Sequence, residues 1–294
     1  MTNVDAGGGD RLALAVLVQY RMATTEQLHL ILAPGVRIEQ TRRRLTKLRD
    51  EGLLDRITLP QAGRTRVWFP TGYGVQVACE WPELRGRRPP RKVSDRTAVR
   101  LRAGHGLTVT ETALAFLQDA RRHGDLCRPL DWIPEVHHPI GSGEAVIPDA
   151  LLYYQRGPDD DGSMLRAFVE VDRATMGPER LAAKLTAYAR LHRYVPIVPG
   201  RRPTIQEPAL EDWRRRYPLF PRLLFVLDGT GPTGAKTRIR ALRAAARELA
   251  PFGFLHDVPV LAAQLSDLLR DGPSAPVWRP VQDPAQQVAW HTWP

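Results

Sequence analysis

The chain has 294 residues, 43% of them hydrophobic and 25% charged, a globular composition long enough for roughly two domains of about 100–200 residues and a poor fit to disorder, collagen or a coiled coil. No run approaches the roughly 20 apolar residues that cross a bilayer, and the opening MTNVDAGGGD has neither the basic start nor the apolar core of a signal peptide, so a cytoplasmic protein with no membrane partner is expected. Lys and Arg number 42 against 32 Asp and Glu, a net charge of +10.

That surplus is uneven. Residues 1–104 hold 19 basic and 10 acidic side chains, which leaves the remainder close to neutral and points the first third toward a polyanion, most simply nucleic acid. Only Lys47, Lys92, Lys184 and Lys236 are lysine, an arginine bias that reads as the codon usage of a GC-rich genome rather than as a DNA-binding signal. Cys79 and Cys127 stand far apart with no CxxC or CxxH spacing, which predicts neither a disulfide framework nor a zinc site.

In chain order, 11–21 reads as a helix, and Thr24 or Thr25 is placed to cap a second helix over 25–32. After the break at Pro34-Gly35 a third helix runs over 37–51, with Ile38, Thr41, Leu45 and Leu48 as its buried stripe and Gln40, Arg43, Arg44 and Lys47 on the opposite face. Gly52 ends it, and strand-like runs at 54–59 and 65–69 flank a turn at 61–64. This order predicts a winged helix-turn-helix, residues 1–84. In such a fold Gln40, Arg43, Arg44 and Lys47 reach bases and phosphates from the major groove, and Arg64 and Arg66 touch the backbone or minor groove from the wing. A solvated charged face or a protein-binding module is the alternative. Residues 85–102 carry eight basic side chains and one acidic, with Pro89-Pro90 against helix, and 85–104 is expected to be a basic linker.

From His105 the pattern alternates. A helix is expected over 106–123, strands at 132–140, 146–154 and 165–171, a helix at 178–194, a strand at 222–228, a helix at 234–249 and a short strand at 252–256. The order αβββαβαβ is one mixed α/β domain over 105–271, followed by a Trp/Pro-rich tail at 272–294 whose Trp278, Trp290 and Trp293 are placed to latch onto the domain or a partner. Asp149, after Pro148, heads the second strand, and Glu170 and Asp172 at i and i+2 share one face of the third. Carboxylates among apolar strands need a cation, a hydrogen-bond network or water, and oxygen ligands of this kind suit Mg²⁺ or Mn²⁺. The alternative is strand-end carboxylates that simply face solvent. Lys184 falls on the inward stripe of its helix with Leu181, Leu185 and Tyr188, and Glu111 shares a helical face with Leu107 and Leu114.

Pro148-Asp149 followed by Glu170-Val171-Asp172 within an αβββαβ core resembles the PD-(D/E)XK restriction-endonuclease-like superfamily over about 105–256. The resemblance implies Asp149 and Glu170 as ligands of a divalent metal, Glu111 as a helper, and nuclease chemistry on DNA. Asp172 stands where that motif has lysine, and Lys184 from the next helix is placed to supply the missing cation. More closely, the whole chain resembles the actinobacterial replication-relaxation family: the winged helix, His105-Gly106-Leu107-Thr108-Val109, Trp132 to Glu135, IPDA at 147–150, FVEVDRAT at 168–175 and KLTAY at 184–188. That family is similar to the restriction-like relaxases of mobilisable plasmids. It implies a protein of plasmid or mobile-element replication or transfer that binds double-stranded DNA at an origin-like site and nicks or relaxes it. Asp149, Glu170, Asp172, Lys184 and Glu111 are then the catalytic candidates, and the nucleophile is water or a tyrosine among Tyr153, Tyr154 and Tyr188. The second reading is a non-catalytic DNA-binding regulator whose nuclease-like domain is a scaffold or homodimer surface.

Overall fold

The computed structural model describes residues 8–59, 63–85, 96–157, 162, 164–196 and 210–292. The turn residues 60–62, residues 86–95 of the expected linker and Trp293 lie outside them. The chain divides into two compact units, Met1–Pro134 and Glu135–Pro294. Both mix helices and strands.

In the first unit, α1 (Gly8–Tyr20) is apolar on every side at its centre, and Ala13 to Val18 are all buried, as expected of a helix surrounded by others. β1 (Ala23–Thr24) leads into α2 (Thr25–Leu32), whose N-terminus is closed by a capping box: Thr24 Oγ1 accepts from Gln27 N at 3.1 Å, and Gln27 Oε1 accepts from Thr24 N at 3.0 Å. α3 (Ile38–Asp50) buries Thr41, Leu45 and Leu48 along the expected stripe, and Gly52 at φ 75° turns the chain back. β2 (Leu54–Leu59) and β3 (Thr65–Pro70) form an antiparallel hairpin with Leu59 opposite Thr65, and β1 joins the outer side of β3 in the order β1-β3-β2. α4 (Gly72–Cys79) follows, a helix that the hydropathy pattern did not announce; Thr71 caps it by accepting from Gly74 N.

The next helix, α5 (Arg96–His123), starts ten residues earlier than expected, so 96–104 is helix rather than linker. Val99 and Ala103 pack with Met22, Ile57, Val67 and Phe69 in one core cluster, and this burial outweighs the helix-weakening effect of Gly104 and Gly106. Gly106 gives Met22 its room: a Cβ there would meet Met22 Sδ at 2.9 Å and the methionine side chain would have to shift. β4 (Trp132–Pro134) closes the unit.

The expected strand 132–140 is broken after Pro134, where Glu135 takes φ 51°. In the second unit β5 (His138–Pro139) and β6 (Ala145–Val146) make a small antiparallel pair. The expected strand 146–154 is likewise split: Ile147-Pro148-Asp149 leaves the ladder, as a proline without an N–H favours, and β7 (Ala150–Gln155) starts afterwards. β8 (Met164–Asp172) pairs antiparallel with β7. α6 (Glu179–Arg193) connects β8 to β9 (Arg222–Leu227), and α7 (Pro232–Leu249) connects β9 to β10 (Val260–Gln264). The pairs β8–β9 and β9–β10 are parallel, and α6 packs on α7. Residues 252–256 are not a strand: Gly253 at φ 73° reverses the chain into α8 (Phe254–Asp257), which buries Phe254 completely. An apolar run this short fits a helix and a strand equally well.

α9 (Leu265–Asp271) and β11 (Arg279–Pro280) finish the second unit, whose strands lie in the order β11-β10-β9-β8-β7. β11 is antiparallel to β10, with Ala262 opposite Arg279. The tail is core: Trp278 and Trp290 are fully buried, Trp278 Nε1 donates to Pro273 O at 2.8 Å, and Trp290 meets Tyr154 edge-on with ring centroids 5.2 Å apart. Both cysteines are free, and burial pushes the Cys127 thiol up to about 12. No described helix is long and apolar enough to cross a membrane.

Candidate active site

The register of β7 and β8 sets Ala150 opposite Val169 and therefore brings Asp149, one step before β7, across from Glu170. Asp149 Oδ2 accepts from Val171 N at 2.7 Å, which fixes its carboxylate against the end of β8. Glu170 is only 3% exposed. One of its oxygens is bonded to Lys184 Nζ, and the other accepts from Tyr188 Oη at 2.7 Å. Lys184 and Tyr188 stand one turn apart on α6, so a single helical face supplies both donors. Lys184 Nζ also lies 4.0 Å from Asp149 Oδ2, and the ammonium thus touches one acid and neighbours the other.

The electrostatics follow from burial. Desolvation, reinforced by the charge of Asp149, pushes the Glu170 carboxyl up to about 7 against the opposing pull of Lys184 and Tyr188. For Lys184, burial acts against its charge, yet Glu170 and Asp149 more than offset it and hold the ammonium above its ordinary value. Tyr188 is raised well above the phenol range, by burial first and then by Glu170. A fully buried tyrosine whose hydroxyl is committed to Glu170 is a positioning group rather than an exposed nucleophile. Tyr154 is 1% exposed and faces Trp290; Tyr153 is half-buried, with the Arg166 guanidinium 5.5 Å from its ring centroid.

Asp172 does not join this cluster through its carboxylate contacts. Arg238 on α7 is bonded to Asp172 Oδ2, Ala174 N donates to Oδ1 at 3.1 Å, and Arg238 Nη2 also donates to Met176 O at 3.0 Å. The pair ties the end of β8 to α7. Arg238 was not among the residues singled out from sequence; the available signal was an arginine on a helical face otherwise made of Ala235, Ile239, Leu242, Ala245 and Ala246. Glu111 is in the first unit, where its carboxylate accepts from Gln27 Nε2 at 2.7 Å. Burial in that local network explains its place on an apolar face.

The residues able to hold a hard divalent cation are Asp149 and Glu170. They set carboxylate oxygens beside the one ammonium of Lys184, and no group of three or more His, Cys, Asp or Glu is gathered at ligand spacing among the described residues. Such a donor set fits Mg²⁺ or Mn²⁺, which bind through one or two carboxylates and keep water or phosphate oxygens for the rest. It does not fit zinc.

In the first unit Gln40, Arg43 and Lys47 are exposed along α3 at i, i+3 and i+7, and Arg64 and Arg66 are exposed on the hairpin. Arg44 is half-buried. Asp10 in the first turn of α1 accepts from Arg44 Nε at 2.7 Å and from Lys47 Nζ at 3.0 Å, so an acid already shares the basic face. Asp10 lay one residue before the expected start of the first helix and was missed.

The class that fold and site define is a two-unit α/β protein with a carboxylate–lysine cluster at the end of a strand. A match to the replication-relaxation family covers residues 14–207, and the chain belongs to that family. No curated protein matches it. Among solved structures it is similar to the crystal structure of Bacillus subtilis PadR in complex with operator DNA, at 22% identity over 38% of this chain and 71% of that one, with a TM-score of 0.20.

Proposed function

We propose that this protein binds double-stranded DNA at an origin-like site of a plasmid or mobile element, in the cytoplasm, and nicks it at Asp149, Glu170 and Lys184. The observation that carries the reading is the ammonium of Lys184 set beside the carboxylates of Glu170 on β8 and Asp149 just before β7, which answers the lysine missing at position 172. The helix, strand, two-helix and hairpin order of residues 8–70 supports a winged helix-turn-helix, and the parallel β8–β9–β10 core flanked by α6 and α7 supports a PD-(D/E)XK-like second unit.

In this reading Asp149 and Glu170 hold Mg²⁺ or Mn²⁺, which when bound supplies a Lewis acid and an activated water. Lys184 meets the charge that builds on the scissile phosphate. Tyr188 fixes the Glu170 rotamer, and the Val171 amide does the same for Asp149. Asp172 holds the strand end in place through Arg238. The commitment of Tyr188 to Glu170 favours water as the nucleophile. On α3, Gln40, Arg43, Arg44 and Lys47 read or clamp the duplex, with Arg64 and Arg66 on the wing.

The test is a supercoiled-plasmid assay with Mg²⁺ or Mn²⁺. Open-circular product is expected, lost in Asp149→Ala, Glu170→Ala and Lys184→Met while DNA binding persists. Binding without nicking in the parent protein selects the second reading, a DNA-binding regulator with the second unit as scaffold or homodimer surface. The specific observation in its favour is that both oxygens of Glu170 already have protein partners.

A further inference from the structure

The second unit has a cationic groove of its own. A cavity of about 410 Å³ opens between α7, the end of β10 and the segment that carries β11. Lys236, Arg240 and Arg243 enter it from α7, and Arg279 enters it from β11. The α7 cations are exposed, stand at i, i+4 and i+7, and make no ion pair among the described residues. The one acid in the lining, Asp267, is bridged to Arg270 at 3.1 Å. Burial sorts α7 cleanly: Arg238 turns inward to Asp172, and its other basic side chains turn out. Near neutrality of the sequence after residue 104 concealed this segregation.

Position gives the groove its meaning. Register aligns Asp172 with Leu227 and Leu227 with Gln264, and Gln264 lines the groove. Two ladder steps are about 10 Å. The groove therefore starts at the same carboxyl edge of the parallel strands as the carboxylate cluster. The seven helical steps of α7 from Lys236 to Arg243 rise about 10 Å, the axial length over which one DNA strand presents about three phosphates.

We propose that this groove is a second DNA-backbone docking surface, on which Lys236, Arg240, Arg243 and Arg279 hold consecutive phosphates a few nucleotides from the Asp149–Glu170–Lys184 cluster. The inference rests on the DNA-binding reading above. It adds a sequence-blind contact that aligns the duplex on the second unit, independent of what α3 reads.

The experiment measures binding of the full chain to a fluorescent 30-base-pair duplex by anisotropy between 50 and 200 mM NaCl. The triple variant Lys236→Ala/Arg240→Ala/Arg243→Ala is expected to flatten the slope of log K against log salt by about 2 to 3, at about 0.9 for each phosphate that is no longer neutralised, and to weaken binding at least tenfold at 0.1 M salt. Arg240→Lys/Arg243→Lys, which keeps the charge, is expected to retain the parent slope. Arg247→Ala, exposed on the same helix but outside the groove, is expected to leave it unchanged. A parent slope in the triple variant, with Arg43→Ala still weakening binding, overturns the groove while the proposed function stands. A loss in Arg247→Ala equal to that of the groove residues also overturns it, since charge alone would then explain the effect. Failure of the parent chain to bind any duplex removes both readings together.

Discussion

Replacing Arg238 by methionine isolates the contact that holds the end of β8 on α7. The Arg238 and Asp172 side chains are 10% and 15% exposed, and the methionine fills the aliphatic part of the space while removing both guanidinium bonds. What remains for the Asp172 carboxylate is one amide, Ala174 N at 3.1 Å. Breaking a buried ion pair from one side costs about 3–5 kcal/mol, and the surviving amide together with partial hydration places this case at the low end, about 3 kcal/mol. For a unit of this size that lowers Tm by about 6–12 °C. Differential scanning calorimetry of Arg238→Met, Asp172→Asn and the double variant measures it. The double variant should lose about 2 kcal/mol less than the sum of the singles, because no charge is then stranded. Strict additivity, or a loss below about 1 kcal/mol in Arg238→Met, would refute the reasoning. If Asp172 is an anchor rather than a metal ligand, Asp172→Asn should also keep nicking within tenfold of the parent while Asp149→Ala abolishes it.

Three further outcomes are expected. Burial, reinforced by Arg216, pushes the His138 imidazole down to about 4, so the folded state holds it neutral while the unfolded state takes up a proton below about 6.5. The stability it contributes is then complete above that pH and is lost as pH falls toward 4, by up to about 3 kcal/mol, and His138→Gln should flatten the profile of Tm against pH over this window. Asp10→Asn frees Arg44 and Lys47 from a competing acid and should tighten duplex binding about two- to threefold at 0.1 M salt, read by anisotropy; weaker binding would mean that Asp10 orients those side chains for DNA. Trp290→Ala empties a site in contact with Tyr154 and should cost about 3–5 kcal/mol in urea denaturation, whereas a loss under 1 kcal/mol would show the tail to be dispensable.

What the sequence disclosed was whatever a local period could carry. The stripe of Thr41, Leu45 and Leu48 gave α3 its buried side, and alternation gave β8 its paired acids. The stripe through Leu181, Leu185 and Tyr188 set Lys184 within reach of Glu170, because i+3 and i+4 neighbours converge whatever else the chain does. Contacts closed by tertiary packing stayed hidden. Asp172 and Arg238 are 66 residues apart and Asp10 and Arg44 are 34 apart, and no spacing rule links either pair. Glu111 looked like a site residue for the same reason: an acid on an apolar face signals a partner without naming it, and the partner is Gln27. The early start of α5 went unseen because glycines at 104 and 106 count against a helix locally, while the packing of Val99, Ala103 and Met22 that favours it is non-local. The splits at Glu135 and at Ile147-Pro148-Asp149 broke runs that hydropathy alone joined.

β11 is two residues long, yet it changes the status of the strand beside it. Without it β10, with Val260, Leu261, Ala262 and Ala263 all buried, would present an apolar flank with open amides and carbonyls, a ready template for pairing with a second chain. Arg279 and Pro280 satisfy that flank from one side and offer poor pairing on the other, since proline has no N–H to give. The segment that carries them is pinned at Trp278 and Trp290. During synthesis the second unit therefore keeps an adhesive edge until residues near 290 are free to fold, and truncations at 271 should aggregate even though every helix and parallel strand of the unit is present.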